Sequence, residues 1–375
     1  ARLVFGRGAI AQLPGLVVGR GQRILLITGA GHAGRSGLLE LLLSALRAAG
    51  RTVHHGRVDR EPDDRLIDLL AAEARSQQTE AVLALGGGSA IDAAKAVAAL
   101  ARNPGRCADY LEGLPGPGPR SLANGAVPVI ACPTTAGTGA EATMNAVILA
   151  TDHGLKRSLR DPAILPAIAV VDPDLVDDCP RAVAAAAGFD ALAHLAEAFC
   201  STQATPMTDA LAEPGLRAAK GFITALAVGA PAPAQVEAMC LAATWGGICL
   251  AHARLGAAHG LVAPLCGRHP VGHGHAVACL LPPVLAANHA ALVKAGRPTA
   301  RLDRLAAVLG HADLPAAADA LVALRRHLGL AGLASCGVTD DDLPALAAAP
   351  SSSIRTNPVE LPLAALTGIL REALA

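Results

Sequence analysis

Asp190 and His194 stand four residues apart in the segment Gly188-Phe-Asp-Ala-Leu-Ala-His194, so a helix there sets a carboxylate and an imidazole on one face. His259 and His273, each followed by glycine, lie fourteen residues apart further along the chain. The stretch between them holds Pro264, Gly267, Pro270 and Gly272 and is expected to loop back, returning both imidazoles to one place. One carboxylate and three imidazoles suit a borderline divalent cation, iron(II) or zinc, better than calcium or magnesium, which prefer oxygen. For any one of these histidines alone a structural or surface role is the commoner reading, and spacing alone leaves it open.

A second kind of chemistry is suggested by glycine-rich turns. Gly29-Ala-Gly31-His-Ala-Gly34 follows a strand-like run and precedes a helical one, with Asp59 further on, which matches a dinucleotide fingerprint. Gly86-Gly87-Gly88-Ser89 lies between AVLAL and IDAAKAVAAL and would present consecutive N–H groups at a helix N-terminus, where the macrodipole favours a pyrophosphate. A tight turn requiring positive φ is the alternative for each. A third loop, Pro133-Thr134-Thr135-Ala-Gly-Thr138-Gly139, adds three hydroxyls after another strand-like run.

The elements that must carry these groups divide the chain in two. Up to about residue 180, β-type runs at 23–28, 52–58, 81–85, 127–131 and 168–171 alternate with helical stretches such as 37–49 and 90–101. This pattern predicts an α/β fold with a Rossmann-like parallel sheet over residues 1–180, whose ligands gather at the carboxyl ends of the strands. From Pro180 onward Ala-rich and Leu-rich helical periodicity dominates, which predicts an all-helical domain over 181–375. A length of 375 residues accommodates two domains.

Composition narrows the partners. Lys plus Arg equals Asp plus Glu at 31 each, with no basic block, so nucleic acid and anionic membrane are not expected and a small molecule is. No uninterrupted apolar run of about 18 residues is evident, and the first residues do not resemble a signal peptide, which makes the cytoplasm the expected location. Nine cysteines without a CxxC pair read as scattered reduced thiols. One Trp, one Tyr and four Phe predict an aliphatic substrate pocket.

Taken in order, Gly86-Gly-Gly-Ser-Ala-Ile-Asp92-Ala-Ala-Lys95, Pro133-Thr-Thr-Ala-Gly-Thr-Gly-Ala-Glu141, Asp172-Pro-Asp174, Gly188-Phe-Asp-Ala-Leu-Ala-His194-Leu-Ala-Glu197 and the His259 and His273 segment resemble the iron-containing (group III) alcohol dehydrogenase family. The opening Val4-Phe-Gly-Arg-Gly-Ala-Ile and the late Ser351-Ser-Ser-Ile-Arg-Thr-Asn-Pro358 resemble its two ends, so the likeness covers nearly the whole chain. It implies that Asp190, His194, His259 and His273 are both the metal ligands and the catalytic centre. It further implies that Gly86, Gly87, Gly88 and Ser89, with Asp92, belong to the cofactor-binding segment, and that Thr134, Thr135 and Thr138 lie on its nicotinamide side. Asn145 and Lys156 match positions that line the cofactor cleft. In that family the first strand-to-helix loop sits by the adenine ribose, where NAD-preferring members often carry Asp. This chain has Gly29, with His32, Arg35 and Ser36 nearby, so NADP is favoured slightly over NAD.

The resemblance implies a metal-dependent, NAD(P)-linked alcohol dehydrogenase, or in reverse an aldehyde or ketone reductase, using Fe(2+) or Zn(2+) as Lewis acid and assembling as a homodimer, with an N-terminal edge strand as one contact. Ala263 departs from it: many members place a histidine four residues after the equivalent of His259, so a proton relay would need another group or water, with His269 and His275 the nearby imidazoles. The nearest alternative is a maleylacetate-reductase-like enzyme, against which the intact Asp and three His argue. A hydrolase or lyase lacks an evident general base, and a non-enzymatic relic would be expected to have lost ligands.

Overall fold

The computed structural model describes residues 1–29, 31 and 37–375. The calls on His32, Gly34, Arg35 and Ser36 lie outside these residues. Among the described residues there are eight strands: β1 (Arg2–Phe5), β2 (Arg23–Gly29), β3 (Thr52–Val58), β4 (Ala81–Gly86), β5 (Val129–Pro133), β6 (Asn145–Ala150), β7 (Leu155–Arg160) and β8 (Ile168–Val171). Six of them form one sheet in the order β1-β8-β5-β4-β2-β3, every neighbouring pair parallel. The predicted Rossmann-like parallel sheet is therefore present.

The sequence dictates this sheet through uninterrupted apolar runs, the mark of strands covered on both faces. Alternate residues diverge: Leu25, Ile27, Val82, Ala84 and Ala131 enter one core, while Ile24, Leu26, Leu83, Leu85, Ile130 and Cys132 enter the other. The helices α1 (Leu13–Leu16) and α2 (Leu38–Ala48) cover the second face, and α3 (Asp64–Ser76) and α4 (Gly88–Leu100) the first. Because β3 lies on one side of β2 and β4 on the other, the chain reverses direction across the sheet between β2 and β4. Ligands of open α/β sheets bind outside the strand ends at such a switch point.

Three details depart from the sequence reading. The fourth predicted strand begins two residues late: Pro128 accepts from the Val82 N–H at 3.0 Å but has no N–H to return, so the ladder starts at Val129. The antiparallel hairpin β6–β7 was not anticipated, because Leu155–Arg160 reads as a charged surface stretch. Only Ala146, Ile148 and Ala150 of β6 turn inward. The third departure concerns the stretch from Pro264 to Gly272, taken up below.

Ala1–Thr135 and Ala140–Cys179 form one unit; Pro180–Ala375, together with the four residues Ala136–Gly139, form a second. The second unit is helical: α5 (Arg181–Cys200), α6 (Pro206–Val228), α7 (Pro233–Ala253), α8 (Ala257–Arg268), α9 (His273–Lys294), α10 (Ala300–Val308), α11 (Leu314–His327), α12 (Leu343–Ala347) and α13 (Leu363–Glu372). Helix α5 is buried on all sides from Gly188 to Cys200, which makes it the core element. Small residues let neighbours approach it: a Cβ on Gly246 of α7 would lie 3.2 Å from the His194 Cβ, and one on Gly215 of α6 would lie 2.9 Å from Leu195.

By length and composition α5, α7 and α9 are apolar enough to cross a bilayer, contrary to the expectation from uninterrupted runs. Alanine-rich stretches raise the average even where Thr, Gly and His interrupt the run. The protein covers that apolar surface to different extents: 83% of the α5 window is buried, 67% of the α9 window and 56% of the α7 window.

Candidate metal centre and nucleotide loop

Asp190 and His194 occupy one face of α5, His259 is the third residue of α8, and His273 opens α9. The Asp190 Oδ1 atom lies 3.4 Å from Nε2 of His259, 3.5 Å from Nε2 of His273 and 3.9 Å from Nε2 of His194. Donor atoms of Asp190, His259 and His273 all fall within 4.8 Å of one another. His194 stands slightly further out, its ring stacked on His259 with centroids 4.5 Å apart and planes at 18°.

Pro264 and Gly267 do not loop as expected; they lie inside α8, and only His269–Gly272 is left to connect it to α9. A proline inside a helix orphans the carbonyl four residues back. Here that carbonyl, on Gly260, accepts the Ser351 N–H at 2.8 Å, so the helix continues past Pro264. The two histidines are thus delivered by the starts of two consecutive helices.

The donor set fits a divalent cation. Ligands about 2.0–2.1 Å from a tetrahedral ion stand about 3.4 Å from each other, close to the spacing seen here. A buried polar atom left without a partner is unfavourable, and Nδ1 of His194 is one, while its Nε2 is beyond hydrogen-bond range of Asp190. A cation beside Nε2 would take that atom's lone pair, and Nδ1 is the ring atom without a partner among the described residues.

Electrostatics at the cluster reflect the same crowding. Burial lowers the His194 pKa to about 4, aided by the neighbouring imidazoles. Burial also opposes protonation of His259, but hydrogen bonds to Asp190 and Glu197 outweigh it and raise that ring to about 9. Burial alone would raise Asp190, yet His194, His273 and His259 together hold its carboxyl well below the usual range.

The sequence reading gave Glu197 no role. Its carboxylate is 2.6 Å from Nδ1 of His259 and is buried with it. The signal was present: Asp190, His194 and Glu197 fall at i, i+4 and i+7 of one helix face. His269 and His275 point elsewhere, His269 lying 3.8 Å from Asp342 and Nε2 of His275 lying 2.6 Å from the Ala331 carbonyl.

In the α/β unit, Gly86 ends β4 and Gly87 is the N-cap of α4, whose first turn has no side-chain cap. Gly88 and Ser89, the first residues of that turn, are half-buried. A Cβ on Gly86 would stand 3.0 Å from the Gly29 nitrogen and 2.7 Å from the Ala90 Cβ, so glycine is needed where β2, β4 and α4 meet. A Cβ on Gly29, by contrast, would find its nearest atoms among the described residues at 3.9 and 4.0 Å, an ordinary contact distance. Thr134 donates its N–H to the Gly86 carbonyl at 3.0 Å, and a Cβ on Gly87 would touch Thr135, so these residues adjoin the loop. Thr138 is half-buried and belongs to the four residues grouped with the helices.

Asp92 is not on the loop. It accepts the Val147 N–H at 3.0 Å, while fully buried Lys95 donates to Thr143 Oγ1 at 2.9 Å and to the Asn145 carbonyl at 3.0 Å. The two side chains fasten the start of β6, and with it Asn145, onto α4. Lys156, on β7, is engaged with Glu61 at 3.1 Å.

A parallel sheet with a glycine-cornered turn at its switch point offers a place for a dinucleotide, and a helical unit with a carboxylate and imidazole cluster offers one for a divalent cation. Residues 1–173 match the profile of the iron-containing alcohol dehydrogenases, and residues 184–374 match that of the C-terminal part of the Fe-containing alcohol dehydrogenase family. The chain belongs to the iron-containing alcohol dehydrogenase family. It is 32% identical over 355 residues to an NAD-dependent methanol dehydrogenase of Bacillus methanolicus, covering 92% of this chain and 90% of the relative. It is likewise 32% identical to the lactaldehyde reductase of Escherichia coli K12, covering 96% and 94%. The crystal structure of a sulfoacetaldehyde reductase from Bifidobacterium kashiwanohense in complex with NAD+ superposes with a TM-score of 0.86 at 26% identity, covering 100% of this chain and 97% of the other.

Proposed function

We propose that this protein is a divalent-metal-dependent, NAD(P)-linked alcohol dehydrogenase that reversibly transfers a hydride between the carbon of a small alcohol and C4 of the nicotinamide. The observation that carries the reading is the convergence of Asp190 Oδ1 with the Nε2 atoms of His259, His273 and His194. Asp190, His194, His259 and His273 would hold the ion. When bound, iron(II) or zinc supplies Lewis-acid polarisation of the substrate oxygen, and the nicotinamide supplies the hydride acceptor.

The protein's own contribution is position and charge. Asp190 and His194 are 2% and 4% exposed and close the inner side of the donor set to water, whereas the His273 side chain, 34% exposed, leaves an open side for substrate. Ala263 lies one turn after His259 on α8 and offers no proton relay, so the alcohol proton passes to solvent on that open side. The uncapped first turn of α4 receives the pyrophosphate, with Gly86, Gly87, Gly88 and Ser89 giving close backbone approach and Thr134, Thr135, Asn145 and Lys156 completing the cofactor contacts. Asp92 acts on this site through the β6 attachment. Gly29, with no carboxylate to repel a 2′-phosphate, supports NADP over NAD. Nine free thiols suit the reducing cytoplasm. The one-sided pairing of β1, with Leu3 and Phe5 exposed, supports a homodimer built on that edge.

Metal content of the purified protein, with turnover of a short alcohol and aldehyde panel using NAD and NADP before and after chelation, tests this reading. Activity that disappears on chelation and returns with about one ion per chain is expected. Turnover unaffected by chelation would overturn it.

A further inference from the structure

The Glu197 side chain is 3% exposed and both its oxygens are occupied. Its Oε1 accepts the Ala258 N–H at 2.7 Å; its Oε2 faces Nδ1 of His259 at 2.6 Å and the His259 N–H at 3.4 Å. Helix α8 has no cap from its own N-cap residue, Gly256. Its first N–H groups are instead satisfied from elsewhere, by Glu197 of α5 and by Asn357, whose Oδ1 accepts the Ala257 N–H at 3.1 Å. A Cβ on Gly256 would stand 2.9 Å from Glu197 Oε1 and 2.8 Å from Asn357 Oδ1, so glycine leaves the space these two groups need.

This arrangement has a consequence for the imidazole. An ionised carboxylate only accepts, so Nδ1 of His259 must carry a proton to face it, and in the neutral ring the lone pair is then on Nε2, the atom beside Asp190. The carboxylate's negative charge is itself stabilised by the N-terminal end of α8. We propose that Glu197 is the positioning residue of the cation site: it caps α8 and fixes both the tautomer and the ring direction of His259 so that Nε2 is a ligand. The inference rests on the reading that Asp190 and the three histidines hold a divalent cation.

Two acceptor atoms are needed at once, one for Ala258 and one for His259, and only a carboxylate of this length offers both. In E197Q one of the two atoms becomes an NH2 group. Turned toward His259 it would require Nδ1 to accept, which moves the ring proton to Nε2 and blocks ligation; turned toward Ala258 it opposes two donors. Metal-free wild type and E197Q, titrated with Zn2+ against a competing chelator, should differ in Kd by about 10–100-fold, the range for loss of a partner behind a metal ligand. Nicotinamide binding, measured separately by fluorescence, should be unchanged. The Co2+ form of E197Q should show an altered visible spectrum, which a merely less stable protein would not.

Equal Zn2+ affinity in the two proteins would overturn the proposal while leaving the cation reading intact; failure of the wild type to take up Zn2+ or Co2+ would overturn the cation reading itself, and the proposal with it. Should E197Q not fold, 15N NMR of zinc-loaded wild type is the second test. A proton on Nδ1 of His259 is expected, and a proton on Nε2 with the metal at Nδ1 would overturn the assignment.

Discussion

Asp190 and His259, brought together from α5 and α8, approach to 3.4 Å between Oδ1 and Nε2. With the metal removed, this contact and the one to Glu197 keep His259 protonated up to about pH 9, against an ordinary imidazole value of 6.5. A raised folded-state pKa gives stability that is full below 6.5 and is lost as pH rises through about 9. A cation at Nε2 competes with that proton. Binding of Zn2+ to the metal-free protein near pH 7.5 should therefore release about one proton from this ring and tighten as pH rises toward 9. Calorimetry in two buffers of different ionisation enthalpy measures the release; no proton release and pH-independent affinity would contradict the contact.

Gly86→Ala should damage the nucleotide loop and spare the metal. Its Cβ would meet the Gly29 backbone at 3.0 Å and the Ala90 Cβ at 2.7 Å, and neither can withdraw without shifting β2 or α4. Overpacking of this kind costs about 1–3 kcal/mol. Nicotinamide affinity should fall while metal content stays at the wild-type level, and an unchanged cofactor Kd would count against the loop as the pyrophosphate site.

Lys95→Met should be among the most destabilising single changes in the α/β unit. It leaves the half-buried Asp92 facing a methyl group, and breaking a fully buried pair from one side costs about 3–5 kcal/mol, an upper bound here because Asp92 keeps some access to water. Burial pushes the Lys95 ammonium down and the Asp92 carboxyl up, each opposed by the other's charge. The double variant with Asp92→Asn should recover much of the loss in denaturant unfolding. Strict additivity of the two changes would show that the pair is not coupled.

At Gly29 the prediction concerns choice of cofactor. A Cβ there meets the described residues only at ordinary contact distance, so Gly29→Asp should fold. Its carboxylate would favour a ribose 2′-hydroxyl and repel a 2′-phosphate, lowering kcat/KM for NADP by about tenfold or more relative to NAD. A ratio that does not move would place the adenine ribose away from this strand end.

What could be read without the fold was whatever depends on local spacing. Asp190 and His194 share a helix face because 3.6 residues make a turn, and the apolar runs of β2, β4 and β8 announce strands covered on both faces. The family motifs extended that reading to His259 and His273. Tertiary structure decided whatever depends on a distant partner. Pro264 sits inside a helix because the Ser351 N–H takes the carbonyl it orphans, ninety-one residues before it in the chain, on Gly260. Asp92 proved to hold a hairpin, since the Val147 N–H it satisfies belongs to β6, whose antiparallel partner β7 is charged and does not read as a strand. Glu197 looked like one more polar residue on α5 until α8 brought two backbone N–H groups and an imidazole to its oxygens. A side chain's type states what it can donate or accept, and only packing supplies the group that answers it.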